Sequence, residues 1–187
     1  MEEMRARELM RPLAEFPSIS STATFMEAVE KLEKADLEFK AGKAPQRILL
    51  VYDAQDKVVG KISPMDVVQG LEPDYRGIDI PKSTSYSQLL QSVQESTKKE
   101  LRLWKNPLKE LCKKSYTVKI QEFIKMPTPD HMVRIDDKME EVLHLFVIER
   151  HDSLFVQEGR DIAGLILFAD VYHKIRETMK SCPLPSK

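Results

Sequence analysis

Apolar side chains recur at three- and four-residue steps in two segments of the chain, and each segment begins with a polar signature of a helix start. Thr24 is followed three residues later by Glu27, and Asp137 is followed three residues later by Glu140. Such pairs bond to the open backbone N–H groups of a first helical turn and are known as capping boxes. We therefore expect one helix to begin at each pair.

Two short apolar runs, separated by a polar turn, follow each predicted helix. They lie at 48–52 and 58–62 in the first half, and at 154–156 and 162–167 in the second. Their length and composition favour strands, and the second run of each half leads into another helix. Short extended stretches precede the two first helices at residues 18–20 and 132–135.

The two halves therefore repeat one unit. The stretch GKISPMD at 60–66 ends the first copy and GLILFAD at 164–170 ends the second, each with Gly followed six residues later by Asp. Matching positions are about 114 residues apart early in the repeat and 104 late, because a loop is longer in the first copy, and loops tolerate such changes. The predicted domains are a first unit at 1–72, an insertion at 73–117 and a second unit at 118–182.

The insertion between the copies is too long for a simple connection and is expected to be mostly helical. Ser85 with Gln88 forms a further capping box within it. Asn106 before Pro107 is expected to cap a second helix, because proline suits a first helical turn.

Composition changes this picture little. The chain has 187 residues, a net charge of -1 and 42% hydrophobic residues, which are ordinary values for a globular protein and give no overall attraction to nucleic acid or membranes. No apolar run approaches the roughly 20 residues of a membrane span, and the charged N-terminus lacks a signal-peptide core. Cys112 and Cys182 show no pairing pattern, so we expect a cytoplasmic location.

Duplicated units of this layout, each closing with Gly-x-x-Ser/Thr-x-x-Asp, resemble the cystathionine-β-synthase (CBS) domain, and the tandem pair resembles the Bateman module. The resemblance covers nearly all of the chain except the helical insertion and the last few residues. It implies an α+β fold with two βαββα-type units about a pseudo-twofold axis. It also implies a homodimer and the binding of an adenosine nucleotide (AMP, ADP or ATP) in the cleft between the units.

The residue types of the first motif suit a ribose. One carboxylate, here Asp66, can accept a hydrogen bond from each of two vicinal hydroxyls, and charge-assisted bonds contribute roughly 1.5 to 3 kcal/mol each. Ser63, one helical turn earlier, can cap the helix or reach a ribose or phosphate oxygen. By resemblance, further side chains would lie around the adenine: Ser18, Ile19, Ser20, Ile62, Pro64 and Met65.

The second motif departs from the pattern, because Leu167 replaces the hydroxyl of Ser63 while Asp170 is kept. We expect the Asp170 site to be weak, to take a less polar ligand or to be filled by side chains. The candidates for phosphate contacts, each of which is also an ordinary surface residue, are Arg47, Lys61, Arg150 and His151.

Other functions remain open at this stage. Ser63 and Asp66 alone would make an ordinary capping pair, and the module would then be a ligand-free scaffold for dimerisation or protein interaction. The basic segment 98–114 could bind nucleic acid or a membrane surface, but its apolar stripe favours packing within the protein. The histidines and cysteines show no metal-ligand spacing, and no catalytic motif is present, so we expect no metal, no cofactor and no enzymatic activity. The sequence does not identify the regulated partner.

Overall fold

The computed structural model describes residues 3–71, 107–124 and 126–181. The helices expected at 73–106, with the Ser85–Gln88 capping box and the Asn106 cap, lie outside these ranges. Helix α3, which begins at Pro107, agrees with the expected second helix of the insertion. Within the described ranges, no helix combines the length and the low polarity needed to cross a bilayer.

Five helices and two mixed sheets make up the described parts of the chain. The helices are α1 (Phe25–Lys40), α2 (Pro64–Leu71), α3 (Pro107–Thr117), α4 (Met139–Glu149) and α5 (Phe168–Ser181). The strands are β1 (Arg11–Pro12), β2 (Ser18–Ser20), β3 (Leu49–Tyr52), β4 (Val58–Ile62), β5 (Met132–Arg134), β6 (Ser153–Glu158) and β7 (Asp161–Leu167). This is the α+β class that the sequence predicts, with helix, strand, strand, helix in each copy.

The first copy forms a three-stranded sheet in the order β2-β3-β4. Helix α1 begins where the sequence predicts: the Thr24 N–H donates to Glu27 Oε2 over 2.6 Å, and the Glu27 N–H donates to Thr24 Oγ1 over 3.3 Å. Leu49, Leu50 and Val51 of β3 are fully buried. Burial of each such side chain stabilises the fold by about 1.5–3 kcal/mol.

The second copy forms a four-stranded sheet in the order β1-β7-β6-β5. Strands β6 and β7 are antiparallel, whereas β5 runs parallel to β6, with Met132 opposite Phe155. The buried core under this sheet comprises Ala6, Val133, Met139, Val142, Phe146, Leu154, Val156, Ile166 and Val171. Ala6 comes from the beginning of the chain, so the core of the second copy includes a residue of the first.

The predicted start of the second copy's first helix is wrong. Helix α4 begins at Met139, and the Lys138 N–H donates to Glu141 Oε2 over 3.1 Å. Asp137 instead closes the preceding turn, where its Oδ2 accepts the Arg134 N–H at 2.7 Å. Glu140 and Glu141 are adjacent, and it is Glu141 that bonds to the helix start. The Asp137 carboxylate, which was expected to cap the helix, is used by the turn after β5.

The leading segments of the two copies, residues 4–12 and 118–124, are exchanged. In one direction, the Ala6 N–H donates to the Asp137 carbonyl over 2.9 Å, and β1 pairs with β7. In the other, the Phe25 N–H donates to the Val118 carbonyl over 3.0 Å. The start of the first helix in each copy therefore bonds to the leading segment of the other copy, and the sheet of the second copy also gains strand β1 from it.

The exchange follows the repeat. A bridge joins Arg5 to Lys138, and another joins Thr24 to Lys119. At the sequence offset of 114 residues, Arg5 corresponds to Lys119 and Thr24 to Lys138, so the two bridges are equivalent. Backbone contacts accordingly group the described residues of 1–18, 50–60 and 125–187 in one compact unit, and those of 19–49 and 61–124 in another.

Candidate functional site

The Gly-x-x-Ser-x-x-Asp motif of the first copy lies where β4 ends and α2 begins. Pro64 occupies the start of the helix, and Ser63 precedes it. The Ser63 N–H donates to Asp66 Oδ2 over 2.7 Å, and the Ser63 hydroxyl donates to the same oxygen over 2.6 Å. Asp66 is therefore held by two short hydrogen bonds at the first turn of α2, as in a capping box.

This arrangement leaves one oxygen of Asp66 for another partner. The side chain is half-buried, and Oδ1 receives no hydrogen bond from any residue that the structure describes. A carboxylate oxygen has two lone pairs and can accept two hydrogen bonds. Capping of α2 through Oδ2 is thus compatible with recognition of a vicinal diol through Oδ1, although the hydrogen of the Ser63 hydroxyl is already engaged.

Two residues expected to flank the adenine are buried. Ile62 has no exposed surface and Ile19 is 3% exposed. Their contact with a base stays a prediction.

The remaining residues predicted near the base are accessible. Ser18 and Ser20 lie on the exposed positions of β2, and Ser20 Oγ lies 2.9 Å from Thr22 Oγ1. Pro64 and Met65 are exposed at the start of α2, with Met65 65% accessible. Their role around a ligand stays a prediction.

Arg47, a predicted phosphate contact, is bound to helix α1. Its Nη1 lies 3.2 Å from Asp36 Oδ1, and its guanidinium lies 5.8 Å from the centre of the Phe39 ring. The hydrogen bonds from Lys40, and then from Arg47, hold the pKa of Asp36 below its ordinary value. Exposed ion pairs of this kind contribute little to stability, so a phosphate could compete for Arg47.

The other predicted phosphate contacts lie in different surroundings. Lys61 is half-buried on β4. Arg150 is exposed and ends helix α4 in the left-handed conformation, with φ 54° and ψ 39°. His151 stacks against His131, with the ring centres 3.7 Å apart. The structure therefore associates His151 with another imidazole rather than with a group of cations.

The second motif has its carboxylate occupied by the protein itself. Arg11 Nε lies 2.6 Å from Asp170 Oδ2, and Arg11 Nη2 lies 2.7 Å from Asp170 Oδ1. A further bond of 2.9 Å joins Arg11 Nη1 to Glu15 Oε2. The hydrogen bonds to Asp170 raise the pKa of Arg11 above its ordinary value, so this guanidinium stays charged. Both acceptor oxygens that a diol would use are already engaged.

A glycine of the second motif brings Arg11 into place. Strand β1 pairs with β7 so that Pro12 lies opposite Gly164. A Cβ atom at Gly164 would lie 2.2 Å from the Arg11 carbonyl oxygen, closer than atoms can approach. Arg11 could not be predicted from the sequence, because this contact spans 159 residues and depends on the exchanged leading segment.

A cavity of about 370 Å³ lies in the compact unit that contains residues 50–60 and 125–187. None of the residues predicted to bind the nucleotide lines it. An exposed ion pair of 2.8 Å between Lys57 and Asp161 lies at its wall and raises the pKa of Lys57. The lining residues are Leu13, Tyr52, Asp56, Lys57, Val58, Met126, Pro127, Met132, Gln157, Arg160, Asp161 and Ile162.

Comparison with known proteins finds relatives in structure only. No family model and no curated protein matches the sequence. Among solved structures, a CBS domain-containing protein of unknown function from Kribbella flavida is 19% identical, with a TM-score of 0.54 over 92% of this chain and 98% of that one.

Two further similar structures contain nucleotides. CBSX2 in complex with AMP is 15% identical, with a TM-score of 0.54 over 94% of this chain and 98% of that one. The cytosolic domain of the Mg²⁺ channel MgtE in complex with ATP is 19% identical, with a TM-score of 0.52 over 92% of this chain and 49% of that one.

Proposed function

We propose that this chain, which has the fold of a tandem CBS domain pair, is a regulatory module that binds an adenosine nucleotide at Asp66. The observation that supports the proposal is the geometry of that carboxylate. Ser63 fixes Oδ2 of Asp66 through hydrogen bonds of 2.7 and 2.6 Å. Oδ1 of Asp66 accepts no hydrogen bond from the described residues and can therefore accept one from a diol. A pre-oriented acceptor loses less conformational entropy when a ligand binds.

The ligand class rests on the solved structures of the same fold, of which one contains AMP and another contains ATP. The ribose hydroxyls are common to both nucleotides, and they are the groups that a single carboxylate recognises. The number of phosphates would depend on Arg47 and Lys61, which belong to the same compact unit as Asp66.

We propose further that the chain binds one nucleotide, at the first motif. A nucleotide at Asp170 would meet a carboxylate that already binds Arg11 through both oxygens, whereas Oδ1 of Asp66 accepts no bond among the described residues. Leu167 offers no hydroxyl there to compensate. The second motif would therefore bind a nucleotide more weakly than the first.

Occupancy would act on a second copy of the chain or on a partner protein. Helix α2 carries Asp66 in its first turn and also presents Met65 and Val68 to solvent, 65% and 47% exposed. Helix α5 likewise exposes Phe168, Tyr172 and Met179. A ligand changes how these exposed side chains meet a partner only if it binds two conformational states with different affinity. Nucleotide binding alone would therefore not demonstrate regulation.

Calorimetry with AMP, ADP and ATP on the full chain tests the proposal. We expect one site per chain, loss of the signal in Asp66→Asn, and weakened but measurable binding in Ser63→Ala, which removes the hydroxyl that fixes Oδ2 and keeps the carboxylate. Absence of heat with every nucleotide, or equal binding by Asp66→Asn and the wild type, would remove the sensor function.

A ligand-free scaffold is the second candidate, and it also has support. Asp66 forms a complete capping box without any ligand, and Ile19 and Ile62 are enclosed in the core. For a scaffold we expect no nucleotide binding, while Ser63→Ala still destabilises the protein by about 1 kcal/mol through loss of the N-cap hydroxyl. The two candidates therefore differ in calorimetry and agree in thermal unfolding.

A further inference from the structure

Two imidazoles and a carboxylate meet at the N-terminal ends of strands β5 and β6. Asp130, His131 and His151 each place one ligand atom within 4.8 Å of those of the other two. The strands are parallel neighbours, so the turn Pro129–His131 before β5 lies beside the loop before β6. The fold thus gathers residues that are 20 positions apart in the sequence.

We propose that this cluster binds a divalent transition-metal ion of the zinc class. Imidazole nitrogens together with one carboxylate oxygen are a typical donor set for such ions, whereas Mg²⁺ and Ca²⁺ prefer oxygen ligands alone. Three protein ligands leave one coordination position for water or another group. The site shares no residue with the Ser63–Asp66 motif, and it does not depend on the proposed nucleotide binding.

The outer partner of the cluster supports the same conclusion. The Thr128 hydroxyl lies 2.7 Å from His131 Nδ1 and also donates a hydrogen bond to Asp130 Oδ1. One hydroxyl therefore orients two of the three proposed ligands. Metal-binding imidazoles usually have such an outer partner, and its removal typically lowers affinity 10- to 100-fold.

The three ligand atoms, which lie within 4.8 Å of one another, must move closer together to bind an ion. Ligand atoms around a tetrahedral zinc lie about 3.3 Å apart, given bonds of about 2.0–2.1 Å. The two rings, stacked with centres 3.7 Å apart and tilted by 30°, must turn toward a common point. The side chains of His131 and Asp130 are 34% and 38% exposed, so they have room to turn and an ion can reach them.

The sequence predicts no metal site, because its histidines and cysteines show no ligand spacing along the chain. His131 and His151 lie before two different strands, and only the parallel pairing of β5 with β6 brings them together. His151, which the sequence suggested as a phosphate contact, becomes a proposed ligand of the ion.

Zinc titration of the chelator-treated, nucleotide-free full chain tests the site, with a chromophoric competitor for affinity and Co²⁺ absorption for the coordination shell. We expect one ion per chain and a higher unfolding temperature with zinc. His131→Asn and His151→Asn should each lower the affinity by at least tenfold, and Thr128→Val should lower it about 10- to 100-fold.

Two other histidines provide matched controls. His144 is exposed on α4, and His173 lies 2.9 Å from Glu177 on α5, a pair with one imidazole and one carboxylate. His144→Asn and His173→Asn should keep the wild-type affinity. A wild type that binds no zinc, a loss confined to His173→Asn, or unchanged binding by both cluster variants would overturn the proposal.

Discussion

Arg11 holds both carboxylate oxygens of Asp170, whereas only one oxygen of Asp66 is engaged by its own copy. The two motifs therefore present their equivalent carboxylates in different states. The difference arises from a residue on the exchanged leading segment, so two motifs that look similar in sequence need not have the same capacity for a ligand.

Replacement of Arg11 by Ala should open the second motif. We expect calorimetry to show an additional, weaker nucleotide site in Arg11→Ala, at a cost of about 1 kcal/mol in stability, since the ion pair is partly exposed. The new site should vanish in Arg11→Ala combined with Asp170→Asn.

Arg7→Ala is the matched control, because Arg7 also lies on the leading segment and pairs with Asp136 on the surface. It should leave the number of sites unchanged. If Arg11→Ala keeps one site, occupation by Arg11 is not what closes the second motif.

Gly164→Ala should be costly, because the added methyl group would meet the Arg11 backbone carbonyl at 2.2 Å. Overpacking of this kind typically destabilises a protein by about 1–3 kcal/mol. Urea denaturation measures the loss, and displacement of β1 should also weaken the hold of Arg11 on Asp170.

Gly70→Ala makes a useful comparison. Its methyl group would lie 2.9 Å from a ring carbon of Phe123 rather than from backbone, and alanine favours a helix over glycine by about 1 kcal/mol. We expect a much smaller effect than at Gly164. Equal losses at both positions would argue against a special role for the β1–β7 approach.

The leading segment 118–124 should be essential to the first copy. Ile120 is fully buried, and its N–H donates to the Ala23 carbonyl over 3.0 Å. Ile120→Ala should cost about 2–5 kcal/mol in the free energy of unfolding. The exposed neighbour Gln121 is the control, and Gln121→Ala should change stability by less than about 0.5 kcal/mol.

Acid should weaken the start of helix α1. The backbone N–H and hydroxyl of Thr24 bond to the Glu27 carboxylate and lower its pKa from the ordinary value of 4.5. An acid with a lowered pKa in the folded state stabilises that state above its unfolded pKa, and this contribution disappears as pH falls through the folded value.

The wild type should therefore be more stable than Glu27→Gln at pH 7, and the difference should shrink as the pH falls below about 4.5. Thermal unfolding at pH 7 and pH 3 measures it. Glu30→Gln, exposed on the same helix and outside the cap, should show no comparable change. A difference that is constant with pH would show that the carboxylate charge is not what stabilises the cap.

Features encoded by neighbouring residues were predictable from the sequence. The Thr24 capping box, the second strand at 58–62 and the extended stretch at 18–20 lie where the local pattern places them. The error at Asp137 is also local. Its carboxylate bonds within the preceding turn, and Glu141 bonds to the helix start.

Contacts between distant parts of the chain were not predictable. The Arg11–Asp170 pair and the meeting of His131 with His151 depend on which strands become neighbours. No spacing rule along a single copy contains that information. The carboxylate of Asp66 could be identified, but its division into one engaged and one available oxygen needed the folded geometry.

The exchanged leading segments have a consequence for biosynthesis. Helix α1 emerges from the ribosome long before residues 118–124, which supply a backbone partner at its start and pack beneath it. The amino-terminal copy must therefore wait, with part of its apolar surface uncovered, until most of the polypeptide has been translated. Separate expression of either copy should yield an incomplete product that folds only when the other is supplied.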